Sequence, residues 1–443
     1  HVFRFDFLNG SFDDLPGGLR EIVQDPGRRR KLVVFINPPY AEAGDTKQWT
    51  GKGANKTDVA VTTSTYAKYL SQIGLAGREL FAQFLIRIYK EIPGCIIGEF
   101  SKHKHLQAPN FAQFRQAFHP KLKSVFLVRS NTFDNVKGKF PIGFFVWDTK
   151  DSEIFDEIEA DVLANDGSLE RRKLLSCYDH ERNIGKWVSS FADNESAPIG
   201  FMTNGRNDFQ HQQHVYILNR KELMPTPRGW HITGSNVFPM CIFLAVRHCM
   251  EATWLNDRDQ FLWPLDSWLA DGEFQADCLV YTLFHGQNRI SCKAGVNHWI
   301  PFAEADVGAR DAYRSHFMVD FLRGKTAAGP SAHRQGNLFG EGLPRVAEAR
   351  PGYGTAPALS PSARAVMSAG LALWRYYHAQ PGAFPDASFY DIRGHFQGFK
   401  PNGHMNPDSP DAEYTRLIAA LRDAQKRLAA RIAPKVRLHG FLR

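Results

Sequence analysis

The stretch "KLVVFINPPYAE", residues 31–42, decides how the chain is read. Leu32, Val33, Val34, Phe35 and Ile36 form an unbroken apolar run. A continuous run of that length is the pattern of a short strand covered on both faces. It ends at Asn37, two prolines and Tyr40. Successive prolines fix the backbone and remove two N–H donors, so the ladder stops there. What remains at the strand end is a set of acceptors: the Asn37 side-chain oxygen and the Pro38 carbonyl, the latter aimed by the ring of Pro39. An exocyclic aromatic amine is a poor nucleophile because its lone pair is delocalised into the ring. Two acceptors placed around its hydrogens would localise that pair. The Tyr40 ring, just beyond, could stack on a flat substrate, and the ends of parallel strands are where α/β folds build their sites.

Working outward, residues 46–70 are polar and rich in Thr, Lys and Gly, which predicts mostly loop. Leu75, Leu80, Phe81, Phe84, Leu85, Ile88 and Ile92 recur at helical spacing, predicting a helix over about 75–92. "CIIGEF" (95–100) reads as a second buried strand and "NFAQFRQAF" (110–118) as a helix. "KSVFLVRS" and "FPIGFFVWD" read as strands on either side of "NTFDNVKGK". Strands alternating with helices predict an α/β fold with a mainly parallel sheet. The texture changes after Asp148. This divides the chain into four regions: an α/β domain at 1–150, a mixed α/β domain at 151–325, a linker or long loop rich in Ala, Gly, Pro and Ser at 326–363, and helices at 364–443. In the last, Tyr414, Leu417, Ile418, Leu421, Leu428 and Ile432 share one face. There are no internal repeats.

Composition narrows the class. The 443 residues are 43% hydrophobic and 23% charged, as in soluble globular proteins. No run of 18 apolar residues and no signal peptide are visible, so a cytoplasmic protein with no membrane partner is expected. The six cysteines include no C-x-x-C pair and read as reduced thiols. The net charge is +8, and residues 101–140 hold eight Lys/Arg, Lys137 and Lys139 among them, against the single acid Asp134. Residues 411–443 hold eight against three. Such windows suit phosphate backbones, and equally they are solvated faces.

"NPPY" at 37–40 after an apolar strand resembles the catalytic motif of S-adenosylmethionine-dependent amino-methyltransferases, above all the N6-adenine DNA methyltransferases. "FDFL" at 5–8 is similar to the family's "DFL" element, and "NTFDNVKGKFPIGFFVWDT" (131–149) to the later element whose aromatic packs on the flipped base. The resemblance covers about residues 1–150. It implies a Rossmann-like methyltransferase sheet, with the 151–325 domain reading DNA sequence and the C-terminal helices gripping phosphates. It gives Asn37, Pro38, Pro39 and Tyr40 the catalytic loop. Asp6 falls beside the adenine pocket and Phe133 on the base, with Phe140 as the alternative; the charge of the 101–140 window separately points Lys137 and Lys139 to DNA. The resemblance implies S-adenosylmethionine as methyl donor, double-stranded DNA as partner, a restriction–modification or phage-defence setting, and a restriction or specificity subunit as a candidate companion.

In one respect the chain departs from that pattern. The family's glycine-rich cofactor turn and its ribose-holding acid belong upstream of the "DFL" element, where this chain offers neither. The nearest match, "NLFGEG" at 337–342, has no apolar strand before it. A missing N-terminal segment is the expectation. Two alternatives stay open: a protein-glutamine or RNA methyltransferase using the same loop, and a non-catalytic DNA-binding relative. Each singled-out residue also has a plainer role, since Asn and Pro favour turns, Asp6 can cap one, and Phe133 can be core. "HQQH" (211–214) with His231 lacks a carboxylate or cysteine at metal-ligand spacing. "HGQN" (285–288) with His298 lacks the context of an H-N-H nuclease.

Overall fold

A computed structural model describes residues 2–38, 60–133, 140–178, 182–225, 227–325 and 356–443. Pro39, Tyr40, Lys137, Lys139 and the "NLFGEG" stretch lie outside the described residues. The chain forms two compact units: His1–His180 with Ala252–Asp259, and Glu181–Glu251 with Gln260–Arg443.

In the first unit the strands are β1 (Val33–Ile36), β2 (Ile96–Ser101), β3 (Pro120–Arg129), β4 (Pro141–Ser152), β5 (Glu157–Leu163) and β6 (Leu169–Ser176), with helices α1 (Gly17–Gln24), α2 (Ser64–Ile73) and α3 (Leu80–Glu91). They build one mixed sheet in the order β1-β2-β4-β3-β5-β6. β1 and β2 are parallel, with Ile36 opposite Glu99, and α2 and α3 lie on the crossover that a parallel pair requires. β4 is inserted between β2 and β3, antiparallel to both. Expectation and structure part here. The eleven residues between β3 and β4 are fewer than a parallel crossover needs, so the chain returns antiparallel. β5 is again parallel to β3, and β6 closes the far edge antiparallel.

Three further expectations are corrected or narrowed. The boundary drawn at residue 150 falls inside β4, and β5 and β6 continue the same sheet. That sheet also recruits Ala252–Asp259, where Asp259 (2.7 and 2.9 Å) and the Leu255 carbonyl (2.7 Å) accept from Lys173 Nζ. Within the stretch 46–70, expected as mostly loop, the described part carries the start of α2 at Ser64, which narrows that expectation rather than reversing it. Thr63 Oγ1 accepts from the Tyr66 amide at 3.0 Å and so caps α2. The buried Gln83 amide holds the preceding turn through Thr63, Ala60 and Gly77. Finally, β1 is not covered on both faces. Val33 is 63% and Phe35 65% exposed. The other side of the sheet carries the core, where Ile97, Val125, Leu127, Phe145, Trp147 and Val162 pack with Phe81, Leu85 and Ile88 of α3.

The second unit holds β7 (Gly200–Thr203), β8 (Ile217–Leu218) and β9 (Gly229–Ile232) in a small antiparallel sheet. Its longer helices are α4 (Val237–His248), α5 (Gly272–Leu283), α6 (Pro361–His378), α7 (Phe389–Gln397) and α8 (Ala412–Leu438). Residues 237–247 of α4 and 274–283 of α5 are buried without a break. A helix buried all round must be apolar all round, which "VFPMCIFLAV" is. α6 and α8 pack on them. The predicted stripe of α8, Tyr414 to Ile432, is buried throughout. The regions expected as separate, 151–325 and 364–443, therefore share one core from Ile184 onward. Among the described residues no helix is long and apolar enough to cross a membrane.

Candidate active site

β1 and β2 end side by side. Since Ile36 pairs with Glu99, Asn37 and Phe100 stand next in line at the same end of the sheet. Asn37 is exposed there and Pro38 is buried. Phe100 anchors a band of aromatic rings on the open face of the sheet. Its centroid lies 4.8 Å from Phe144, 5.2 Å from Phe133, 6.0 Å from Phe126 and 6.3 Å from Phe35. Gly98 makes room for this band, because a Cβ there would meet Phe144 Cζ at 2.9 Å. Phe133 is thus brought to the strand end that carries Asn37, half-buried and edge-on to Phe100. Phe140 exchanges backbone contacts with Ser130: the Ser130 amide donates to its carbonyl at 3.0 Å.

Asp6 sits elsewhere in the local chemistry. Its carboxylate accepts from the Leu8 and Asn9 amides, both at 3.2 Å, and from Asn9 Nδ2 at 2.9 Å. These contacts, the Asn9 side chain foremost, lower its pKa. The carboxylate caps its own turn. The segment around it is fixed by Arg87, a residue that sequence reasoning missed. Buried on α3, Arg87 donates to the Phe7 carbonyl, to the Gly10 carbonyl at 2.6 Å and to Glu91 at 3.1 Å. Its guanidinium lies 4.4 Å from the Phe12 ring centre. The signal was present: Leu80, Phe84, Arg87 and Glu91 follow one another at i, i+4, i+7 and i+11 on one stripe of α3.

Beneath the strand ends lies a second group that the sequence did not announce. Glu99 is fully buried. Ser101 Oγ donates to it at 3.1 Å, and His105 Nε2 stands 3.8 Å away. Burial pushes the Glu99 carboxyl up to about 8, against the pull of Ser101 and the nearby Trp147 indole. Burial also pushes His105 down to about 3, against the pull of the Lys102 carbonyl on its ring. Both groups are neutral at pH 7. His103, also buried, is held well below its usual range by burial and then by Lys173 and Arg258.

The basic window 101–140 is partly spent inside the protein. Lys102 (3.7 Å) and Lys104 both pair with the buried Glu79, Lys121 pairs with Glu153 at 2.9 Å, and Arg115 donates to the His105 and Ala108 carbonyls. Among the described residues no three His, Cys, Asp or Glu side chains are gathered to hold a metal ion. In the "HQQH" stretch, His211 is engaged by Asp208 at 2.5 Å.

No family model matches the sequence, and no curated protein does. Among solved structures the chain is similar to the ATP-dependent Type ISP restriction–modification enzyme LlaBIII bound to DNA, with 11% identity and a TM-score of 0.23 over 41% of this chain. The match takes in 16% of that enzyme's length.

Proposed function

We propose that this chain carries the amine-orienting loop of an S-adenosylmethionine-dependent N6-adenine DNA methyltransferase of the restriction–modification or phage-defence kind. The observation that supports it is the placement of Asn37-Pro38 at the end of a strand parallel to β2, beside Phe100 and the Phe133 ring that packs on it. An adenine amine lies inside the base stack, so the target base is turned out before it is modified. Asn37 Oδ1 and the Pro38 carbonyl then accept the two amine hydrogens and localise the lone pair. Tyr40 covers one face of the base and Phe133 the other. Positioning supplies the rate enhancement assigned to these residues.

The described residues do not by themselves fit the methyl donor. Those before β1 form α1, short helical turns and loops, with no strand leading into a glycine-rich turn. The chemistry assigned here therefore stops at the amine. A second reading is a DNA-binding relative without transfer activity. One experiment separates the two. Tritiated methyl incorporation into DNA is expected from a protein that joins this chain to a methyl-donor site and abolished in its Asn37→Ala variant, with DNA binding within severalfold of wild type. Incorporation that survives the substitution would refute the role of Asn37, and none from wild type would favour the second reading.

A further inference from the structure

The second unit gathers positive side chains without an acid among them. The Ile217 amide donates to the Gln287 carbonyl and the Arg289 amide to the Ile217 carbonyl, both at 2.9 Å, so residues 287–289 zip onto β8. This register sets Arg289 beside Tyr216, with its guanidinium 4.0 Å from the ring centre. Gln287 Oε1 accepts from Arg289 Nε (3.0 Å) and Nη2 (2.6 Å), which orients the fork. Arg393, on α7, reaches across to the same loop: a Cβ on Gly286 would meet its Nη1 at 3.1 Å. Its guanidinium lies over Phe389 at 5.6 Å, with Nε turned to Gln397 Oε1 at 3.5 Å.

Tyr390 acts electrostatically on both. Burial makes each guanidinium somewhat less basic; Tyr216 and Tyr390 counter this at Arg289, as Tyr414 and Tyr390 do at Arg393. Arg422, from α8, adds a further positive charge near Arg393. His285 stacks between His248 (4.7 Å) and Tyr281 (5.0 Å), and burial holds it neutral. The one acid on α7 is spent elsewhere, since Asp391 accepts from Ser291 Oγ (2.6 Å), the Cys292 amide (2.8 Å) and the Ser388 amide (3.0 Å). Among the described residues neither Arg289 nor Arg393 meets a carboxylate within salt-bridge distance.

A guanidinium half withdrawn from water without a carboxylate partner costs free energy, and an anion brought to it offsets that cost. Glutamine and aromatic contacts already fix both forks, so little side-chain entropy remains to be given up on binding. Planar forks with free N–H groups match phosphate oxygens, and basic side chains beside the half-buried rings of Tyr216 and Tyr390 suit a nucleic-acid strand. We propose that Arg289 and Arg393, on either side of the 285–289 loop, each hold a phosphodiester of a nucleic-acid strand. This deepens the DNA reading by saying where the second unit holds the backbone, and it stands on that unit's own residues.

The test is fluorescence anisotropy of a labelled DNA duplex with the full chain over a range of salt. Arg289→Gln with Arg393→Gln is expected to weaken binding at least tenfold. It should also flatten the salt dependence by about 2 in slope, at roughly 0.9 for each phosphate that is no longer neutralised. Arg289→Lys with Arg393→Lys keeps the charge but not the fork; it should keep the slope and still bind severalfold more weakly. Unchanged binding in the glutamine pair would overturn the site. A lysine pair equal to wild type would reduce it to diffuse charge and overturn it as well. Wild-type chain that binds inorganic phosphate by calorimetry but no DNA would assign the cluster to a free phosphate group instead. Methyl incorporation is read in parallel on a protein that joins the chain to a methyl-donor site. Binding that depends on the arginines without any incorporation leaves the site standing and refutes the activity, whereas incorporation with arginine-independent binding does the reverse.

Discussion

Arg87 joins two pieces of chain nearly eighty residues apart. It donates to the Phe7 and Gly10 carbonyls and lies over Phe12, so the 5–12 segment is held to α3 through one side chain. Replacing it with methionine keeps much of the volume but leaves two carbonyls without their donor. A buried acceptor without a partner costs about 1–3 kcal/mol, so Arg87→Met should lower stability by roughly 2–5 kcal/mol. The check is urea denaturation together with limited proteolysis. Cleavage should appear first around Phe5–Phe12, and a variant that melts like wild type with the segment protected would show that the aromatic contacts alone hold it. Tyr40 carries the other prediction at this scale. Stacking needs the ring and not the hydroxyl, so Tyr40→Phe should keep most methyl transfer while Tyr40→Ala falls about ten- to a hundredfold, matching roughly 1–3 kcal/mol of base stacking. Equal losses would assign the role to the hydroxyl.

The end of β2 carries a titration that follows from its burial. Glu99 is raised to about 8 and His105 lowered to about 3. A raised carboxyl binds its proton more tightly in the folded chain, so its contribution to stability is full below the usual glutamate range and is lost as pH rises through 8. A depressed histidine works the other way up to its ordinary value near 6.5 and contributes no slope above it. Between about 6.5 and 8, therefore, Glu99 acts without that opposition. Stability should fall by about 2 kcal/mol across this window, at 1.36 kcal/mol per unit. Glu99→Gln should flatten it, as read by denaturation at pH 6.5, 7.2 and 8. A slope that persists in the variant would place the titrating group elsewhere. None of this was visible in the sequence. "CIIGEF" reads as a strand whether its glutamate faces water or core, and the alternation Ser101, His103, His105 looks like a polar edge until the helix at Lys104–Gln107 folds it inward. Legible elements were those whose pattern depends on nothing distant: the strands β1, β2, β3 and β4, though not how β3 and β4 pair, α3 and the stripe of α8. Sheet order and the recruitment of Ala252–Asp259 depend on contacts across the chain, which no local pattern encodes. At the candidate site, the strand-end position of Asn37 and the capping of a turn by Asp6 could be anticipated, while the Phe133–Phe100 contact and the internal pairing of Lys102 and Lys104 could not.

At the scale of the whole chain, the open side of the first sheet stands against the net charge. β1 lies at one end of the strand order, Val33 and Phe35 on it are mostly exposed, and the aromatic band from Phe35 to Phe126 continues across β2 and β4. An edge strand flanked by apolar side chains is a template for pairing with another chain. The charge of +8 opposes such pairing at low salt, but its reach is only about 10 Å at 0.1 M and shrinks further as salt is added. Self-association of the purified chain should therefore rise with salt, the opposite of an association held by ion pairs. Val33→Lys places a charge on the exposed edge, where a surface substitution changes stability by no more than about 0.5 kcal/mol. Sedimentation velocity at low and high salt should show the variant remaining monomeric where wild type associates, with the same melting temperature. If Val33→Lys associates as wild type does, the contact lies away from β1, and Phe35→Lys would show whether the aromatic band carries it instead.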